Sequence, residues 1–141
     1  MATTTTRLAT SDYRRLLRLR DGLRTFLKWS EDQAQAVGMT PAQHQLLLAI
    51  RGNTGTEPPT IGDVADHLLL HHNSAVGLVD RAEEAGLVRR SIDPHDHRIV
   101  RLSLTPSGRR HLESLSAAHL EELRRLATHL RPLWEGLETV S

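Results

Sequence analysis

Apolar residues recur at three- and four-residue steps along most of this chain, and the places where that rhythm breaks mark its elements. Leu16, Leu19, Leu23, Phe26, Leu27, Ala34 and Val37 form a stripe that predicts one long helix, capped by Thr10 or Ser11 and stopped at Gly38. Residues 1–10 ahead of it carry no periodicity and read as a frayed tail. Gly22 inside the helix costs about 1 kcal/mol relative to alanine, which points to close packing or a bend. Thr40-Pro41 places a capping hydroxyl before a proline at the first helical position, so a short helix follows with Leu46, Leu47 and Ile50 inward. Residues 52–59 are a loop with room for a short edge strand. Thr60 caps a helix whose inner positions are Ile61, Val64, Ala65 and Leu68. Residues 71–85 form another on Ala75, Leu78, Val79 and Ala82, with Gly86 as its stop. The pattern then changes: residues 87–91 and 99–104 alternate or run apolar as strands, and Asp93-Pro94-His95-Asp96-His97-Arg98 supplies turn formers and charge between them. Thr105-Pro106 repeats the start signal for a second long helix through residue 129, on Leu112, Leu115, Ala118, Leu120, Leu123 and Leu126. Pro132 breaks it, and a terminal helix over residues 132–140 carries Leu133, Trp134 and Leu137.

Helix, turn, helix and hairpin in that order describe a winged helix-turn-helix. The expected fold is mainly α with a small β-hairpin wing (α+β), a single domain over residues 1–141. Residues 40–104 are its winged lobe, and residues 11–38 and 105–141 its long flanking helices. None of those helices can bury its apolar stripe alone, so the chain is expected to dimerise with itself through them. The second short helix would enter a groove of double-stranded DNA, and the hairpin tip would reach the backbone or the neighbouring groove.

Composition sharpens this picture. A net charge of +1 is too small for a generic polycation, so nucleic-acid binding must come from how charge is distributed. Between residues 86 and 110, Arg89, Arg90, Arg98, Arg101, Arg109 and Arg110 stand against Asp93 and Asp96, 6 − 2 = +4 locally. Arginine supplies nearly all the positive charge, Lys28 being the only lysine. The absence of cysteine removes disulfides and thiolate metal ligands. No apolar run approaches membrane length and the threonine-rich start lacks a signal-peptide core, so a cytoplasmic protein without a membrane partner is expected. The sequence has no phosphate-binding glycine loop, no His-Glu-x-x-His and no glycine-flanked nucleophilic serine, so neither catalysis nor a cofactor is expected. Asp63, His67 and His71 fall at four-residue intervals, a spacing that can hold a metal on one helix face. His71 belongs to the following helix across a turn, which destroys that spacing, and no metal site is assigned.

On the second short helix, Ser74 and Gly77 lie opposite the apolar face. A serine there can reach a base edge or a phosphate, and a glycine removes the side chain that would hold the helix away from DNA. His71, His72 and Asn73 sit at the amino end, where free backbone N–H groups attract phosphate. Val76 reads either as a thymine-methyl contact or as a half-exposed apolar residue. Thr60, starting the preceding helix, and Arg81, one turn beyond Gly77, complete the DNA-facing candidates.

Several runs together resemble the MarR family of bacterial transcription regulators: Leu78-Val79-Asp80-Arg81, Gly86-Leu87-Val88-Arg89-Arg90, the wing from Asp93 to Arg98, and Leu104-Thr105-Pro106-Ser107-Gly108. The resemblance implies dimers whose terminal helices interlock and a repressor acting on a pseudo-palindromic operator. It also implies that Arg98 is the wing arginine that enters the minor groove and Asp96 the carboxylate that holds it. A guanidinium suits that narrow electronegative groove, and a neighbouring carboxylate can fix its rotamer. His97 departs from the family's commoner lysine or arginine, which weakens a phosphate contact near neutral pH. By the same resemblance, a small phenolic or other aromatic anion would release DNA from a cleft near Phe26, Trp29 and His44. Without cysteine, the thiol peroxide-sensing of some relatives is excluded. The other reading is a winged-helix protein-interaction module without DNA binding, against which Arg98 with Asp96 argues, since a protein-binding wing has no need of that pair.

Overall fold

The computed structural model describes residues 7–135 and 137. In order, the elements are α1 (Thr10–Ala36), α2 (Pro41–Arg51), α3 (Ile61–Leu68), α4 (His72–Glu84), β1 (Val88–Ile92), β2 (Val100–Leu104) and α5 (Pro106–Glu135). The expected architecture, mainly helical with one hairpin, is what the chain adopts. Its contacts divide into two compact units, one running from Glu31 to Ala117 and the other made of the chain through Ser30 and from Ala118 onward.

The winged unit is built on local signals. Thr40 and Thr60 each close a capping box. Thr40 Oγ1 accepts from Gln43 N–H while Gln43 Oε1 accepts from Thr40 N–H, and Thr60 and Asp63 reciprocate in the same way. Leu46, Leu47, Val64, Val79, Val88 and Leu102 are fully buried, so α2, α3, α4 and the hairpin close over one core. β1 and β2 pair antiparallel, Val88 opposite Leu104 and Ile92 opposite Val100. The expected edge strand is a single bridge, Thr60 to Arg101, with Leu102 N–H donating to Pro59 O at 2.8 Å. Gly38 and Gly86 end α1 and α4 with φ of 82° and 76°, the left-handed conformation that favours glycine. Leu69, between α3 and α4, takes the same conformation at φ 55° without being a glycine.

In the other unit, Gly22 earns its place by close packing rather than a bend. A Cβ there would lie 3.2 Å from Leu130 Cδ2 and 3.3 Å from Leu126 Cδ1. Two expectations fail here. Thr10 and Ser11 do not cap α1 but are already helical, and Asp12 Oδ2 accepts from the exposed Ala9 N–H ahead of the helix at 2.9 Å. Pro132 does not end the second long helix. α5 continues through it to Glu135, so no separate helix starts at residue 132, and residues 136 and 138–140 of that expectation lie outside the described residues. A proline inside a helix costs about 3 kcal/mol. Leu133, one residue beyond it, is 6% exposed, and its burial offsets part of that cost.

Candidate nucleic-acid interface

α4 presents a polar, nearly flat outer face. Ala75, Leu78, Val79 and Ala82 are buried, whereas His71, His72, Asn73, Ser74 and Arg81 are exposed and Val76 and Gly77 half-buried. His71 stands at the N-cap and makes no side-chain cap, so the first-turn N–H groups of α4 are not claimed by a capping side chain. A glycine at position 77 is not demanded by the fold. The nearest atom to an added Cβ would be Arg81 Nη1, at 3.4 Å, the flexible end of a side chain on the same helix. Thr60 is engaged as the cap of α3, its Oγ1 accepting from Asp63 N–H at 3.1 Å. Asp63 and His67 lie on α3, but His71 follows the left-handed turn at Leu69, and no group of three possible metal ligands gathers among the described residues.

The wing is set by Asp93. It is 5% exposed, and its Oδ1 accepts from the N–H groups of His95 (2.8 Å) and Asp96 (3.0 Å), closing the turn. Its Oδ2 accepts from Arg101 Nε at 2.9 Å, and Arg101 Nη1 donates to Pro58 O at 3.0 Å. The Arg101 hydrogen bond, and after it the His95 N–H, hold the Asp93 carboxyl below the usual carboxylate range. At the tip, Arg98 donates from Nε to Asp96 Oδ1 and from Nη2 to Asp96 Oδ2, both at 3.1 Å, with its own N–H on Oδ1 at 3.0 Å. That two-pronged grip lowers the Asp96 pKa and raises that of Arg98. The Arg98 side chain is still 91% exposed, so its rotamer is fixed while its outer edge faces solvent. His95 and His97 flank it, both exposed.

The local charge of +4 overstates what this surface offers, because two of its arginines are internal braces. Arg90 pairs with Asp80 and, at 3.0 Å, with Glu83, tying β1 to α4, while its N–H donates to Glu83 Oε2 at 3.2 Å. Arg101 ties β2 to the segment before α3. Sequence reading missed both braces and the buried role of Asp93. Only the Asp93 turn had a local signal, an aspartate two and three residues ahead of the N–H groups it accepts from.

Of the three expected ligand residues, Phe26 and Trp29 lie in one compact unit and His44 in the other. Phe26 and Trp29 are ring neighbours at 6.1 Å, and His119 stacks against Trp29 at 4.7 Å while sharing a hydrogen bond with Ser30 Oγ at 2.8 Å. Phe26 and Trp29 line a cavity of about 360 Å³ together with Gly22, Arg125, Leu126 and His129. His44 lies on α2, where it is 6% exposed.

Residues 37–99 match the sequence model of the MarR family. An uncharacterized HTH-type transcriptional regulator of Bacillus subtilis, YcgE, is 34% identical over 94 residues, 67% of this chain and 58% of that protein. The chain spans about half the length of the curated relatives it matches. The crystal structure of AbsC, a MarR family transcriptional regulator from Streptomyces coelicolor, superposes with a TM-score of 0.71 at 20% identity, covering 95% of this chain and 99% of AbsC. The Staphylococcus aureus MepR–DNA complex gives 0.66 at 19%, covering 86% and 85%. The helix-turn-helix and wing carry the sequence of the MarR family, and the winged-helix fold is shared with MarR family structures along nearly the whole chain.

Proposed function

We propose that this protein is a sequence-specific DNA-binding transcription regulator that acts as a homodimer and represses. The observation that carries the reading is Arg98: a guanidinium held rigid by Asp96 yet almost wholly exposed, at the tip of a wing whose base is locked by Asp93 and Arg101. A fixed, outward cation suits insertion into the narrow minor groove beside the major groove that α4 would occupy. Residues of about 11–38 and 105–141 serve the dimer. Leu16, Leu17, Leu27, Leu120, Leu123 and Trp134 are 48–59% exposed, an apolar surface that a lone chain leaves wet. Footprinting on genomic fragments tests the reading. Two protected half-sites centred about one helical turn apart, in an imperfect palindrome, are expected; protection without such spacing would exclude a symmetric dimer on its operator.

A small aromatic anion acting as effector is supported by the cavity that Phe26 and Trp29 share. Its apolar walls suit an aromatic ring, and its polar lining is mixed, with Arg125 paired to Glu122 at 3.6 Å beside His129 and Asp21.

A further inference from the structure

We infer that Arg81 is the base-reading cation of α4, and that Gly77 is the slot through which its guanidinium reaches a guanine. The inference rests on the DNA-binding reading above and names what the recognition helix reads. Three observations lead to it.

Seven residues, close to two full turns, separate Ser74 from Arg81, so the two share the outer face of the helix with Gly77 between them. Helical side chains lean toward the amino end. Arg81 does so, and its Nη1 would be 3.4 Å from a Cβ at position 77. The charged head therefore sits one turn ahead of its own Cα, over the bare backbone at Gly77 and on the side of Ser74, nearer the part of α4 that enters a groove first.

Arg81 is also left available. Asp80 and Glu83, the nearest carboxylates in sequence, are both spent on Arg90, whose guanidinium bridges them from β1. Among the described residues no carboxylate pairs with Arg81, whereas Arg98 and Arg101 are each held by one and Arg90 by two.

An unpaired guanidinium on the groove-facing side has one well-matched base, guanine, whose O6 and N7 accept both prongs. Gly77 also lowers the helix surface at the point of approach, so the arginine can lie along the base edges instead of being propped off them.

The test is in vitro selection of binding sequences with the wild-type chain and with Arg81→Ala, Arg81→Lys and Gly77→Ala, alongside their affinity for random DNA. The wild type should specify a guanine strongly in each half-site. Arg81→Ala should make that one position degenerate, a loss of discrimination of about five- to a hundredfold. Arg81→Lys should recover random-DNA affinity but only part of the guanine preference, since an ammonium on a flexible stem lacks the fixed fork of a guanidinium. Gly77→Ala, folded by circular dichroism, should weaken the same preference. An unchanged selected sequence in Arg81→Ala, or equal losses on specific and random DNA, would overturn the inference, and full retention of the guanine in Gly77→Ala would overturn the slot. A wild-type chain that selects no sequence at all would instead sink the DNA-binding reading.

Discussion

The Cα of Gly108 lies so close to the Leu87 carbonyl that a Cβ on it would stand 2.0 Å from that oxygen and 2.9 Å from the carbonyl carbon. Thr105 fixes this approach. Its N–H donates to Leu87 O at 3.1 Å, its hydroxyl to Gly86 O, and its Oγ1 accepts from Gly108 N–H at 3.0 Å. The Thr-Pro-Ser-Gly run therefore docks the start of α5 onto the exit of α4. Gly108→Ala should lower the unfolding free energy by at least ~2 kcal/mol, since the obstacle is backbone and cannot swing aside. Urea denaturation checks it, and a loss below about 0.5 kcal/mol would show that the helix start can shift.

Leu69 presents the opposite case. Its left-handed backbone costs a β-carbon-bearing residue roughly 1–2 kcal/mol, and its side chain, 92% exposed, returns almost nothing. Leu69→Gly relieves that strain but loses about 0.5–1 kcal/mol through the more flexible unfolded chain. The expected net is a gain of about 0.5–1 kcal/mol in thermal or urea unfolding, and a loss would mean that Leu69 makes contacts that outweigh the strain.

Gly77→Ala should separate stability from function. The methyl group meets only ordinary contact with Arg81, so the helix should gain about 1 kcal/mol. The same variant should bind its operator more weakly. Stronger binding and greater stability together would show that no close approach occurs at this position.

The Asp93 brace gives the wing a pH dependence of known sign. A carboxyl whose folded pKa is depressed contributes stability that is complete above its unfolded value, near 4, and lost as pH falls through the lower folded value. Asp93→Asn keeps an oxygen for the turn N–H groups but removes the charge facing Arg101. The wild type should exceed the variant in stability at pH 7, with a gap that closes as pH drops below about 4. A gap independent of pH would assign the effect to packing.

Most of the fold was legible because it is written in short-range terms. Thr40 and Thr60 cap, Gly38 and Gly86 stop, and the apolar residues of α2 to α4 fall inward at helical spacing. What escaped is decided by partners distant in sequence. Nothing near Arg90 announces that it belongs to Asp80 and Glu83, and nothing near Pro132 that its helix carries on to a buried Leu133. Of the candidate site, the Arg98–Asp96 pair was readable because both residues lie in one turn. That His44 is buried on α2 was not marked by any residue next to it in sequence.

The proposed dimer surface can be tested without disturbing the fold of one chain. Leu120 and Leu123 are about half exposed, so Leu120→Arg with Leu123→Arg should leave the circular dichroism unchanged while converting the protein to a monomer by sedimentation. An intact dimer would move the interface elsewhere.

The most direct measurement of DNA binding itself is affinity against salt concentration, for the wild type and for Arg98→Ala. Each phosphate neutralised releases counterions, so the logarithm of the affinity should fall steeply and linearly with the logarithm of salt. Arg98→Ala should weaken binding about ten- to a hundredfold at fixed salt. A chain whose association with DNA is undetectable, or flat in salt and indifferent to Arg98, would contradict the wing's role and leave a winged helix that binds something other than nucleic acid.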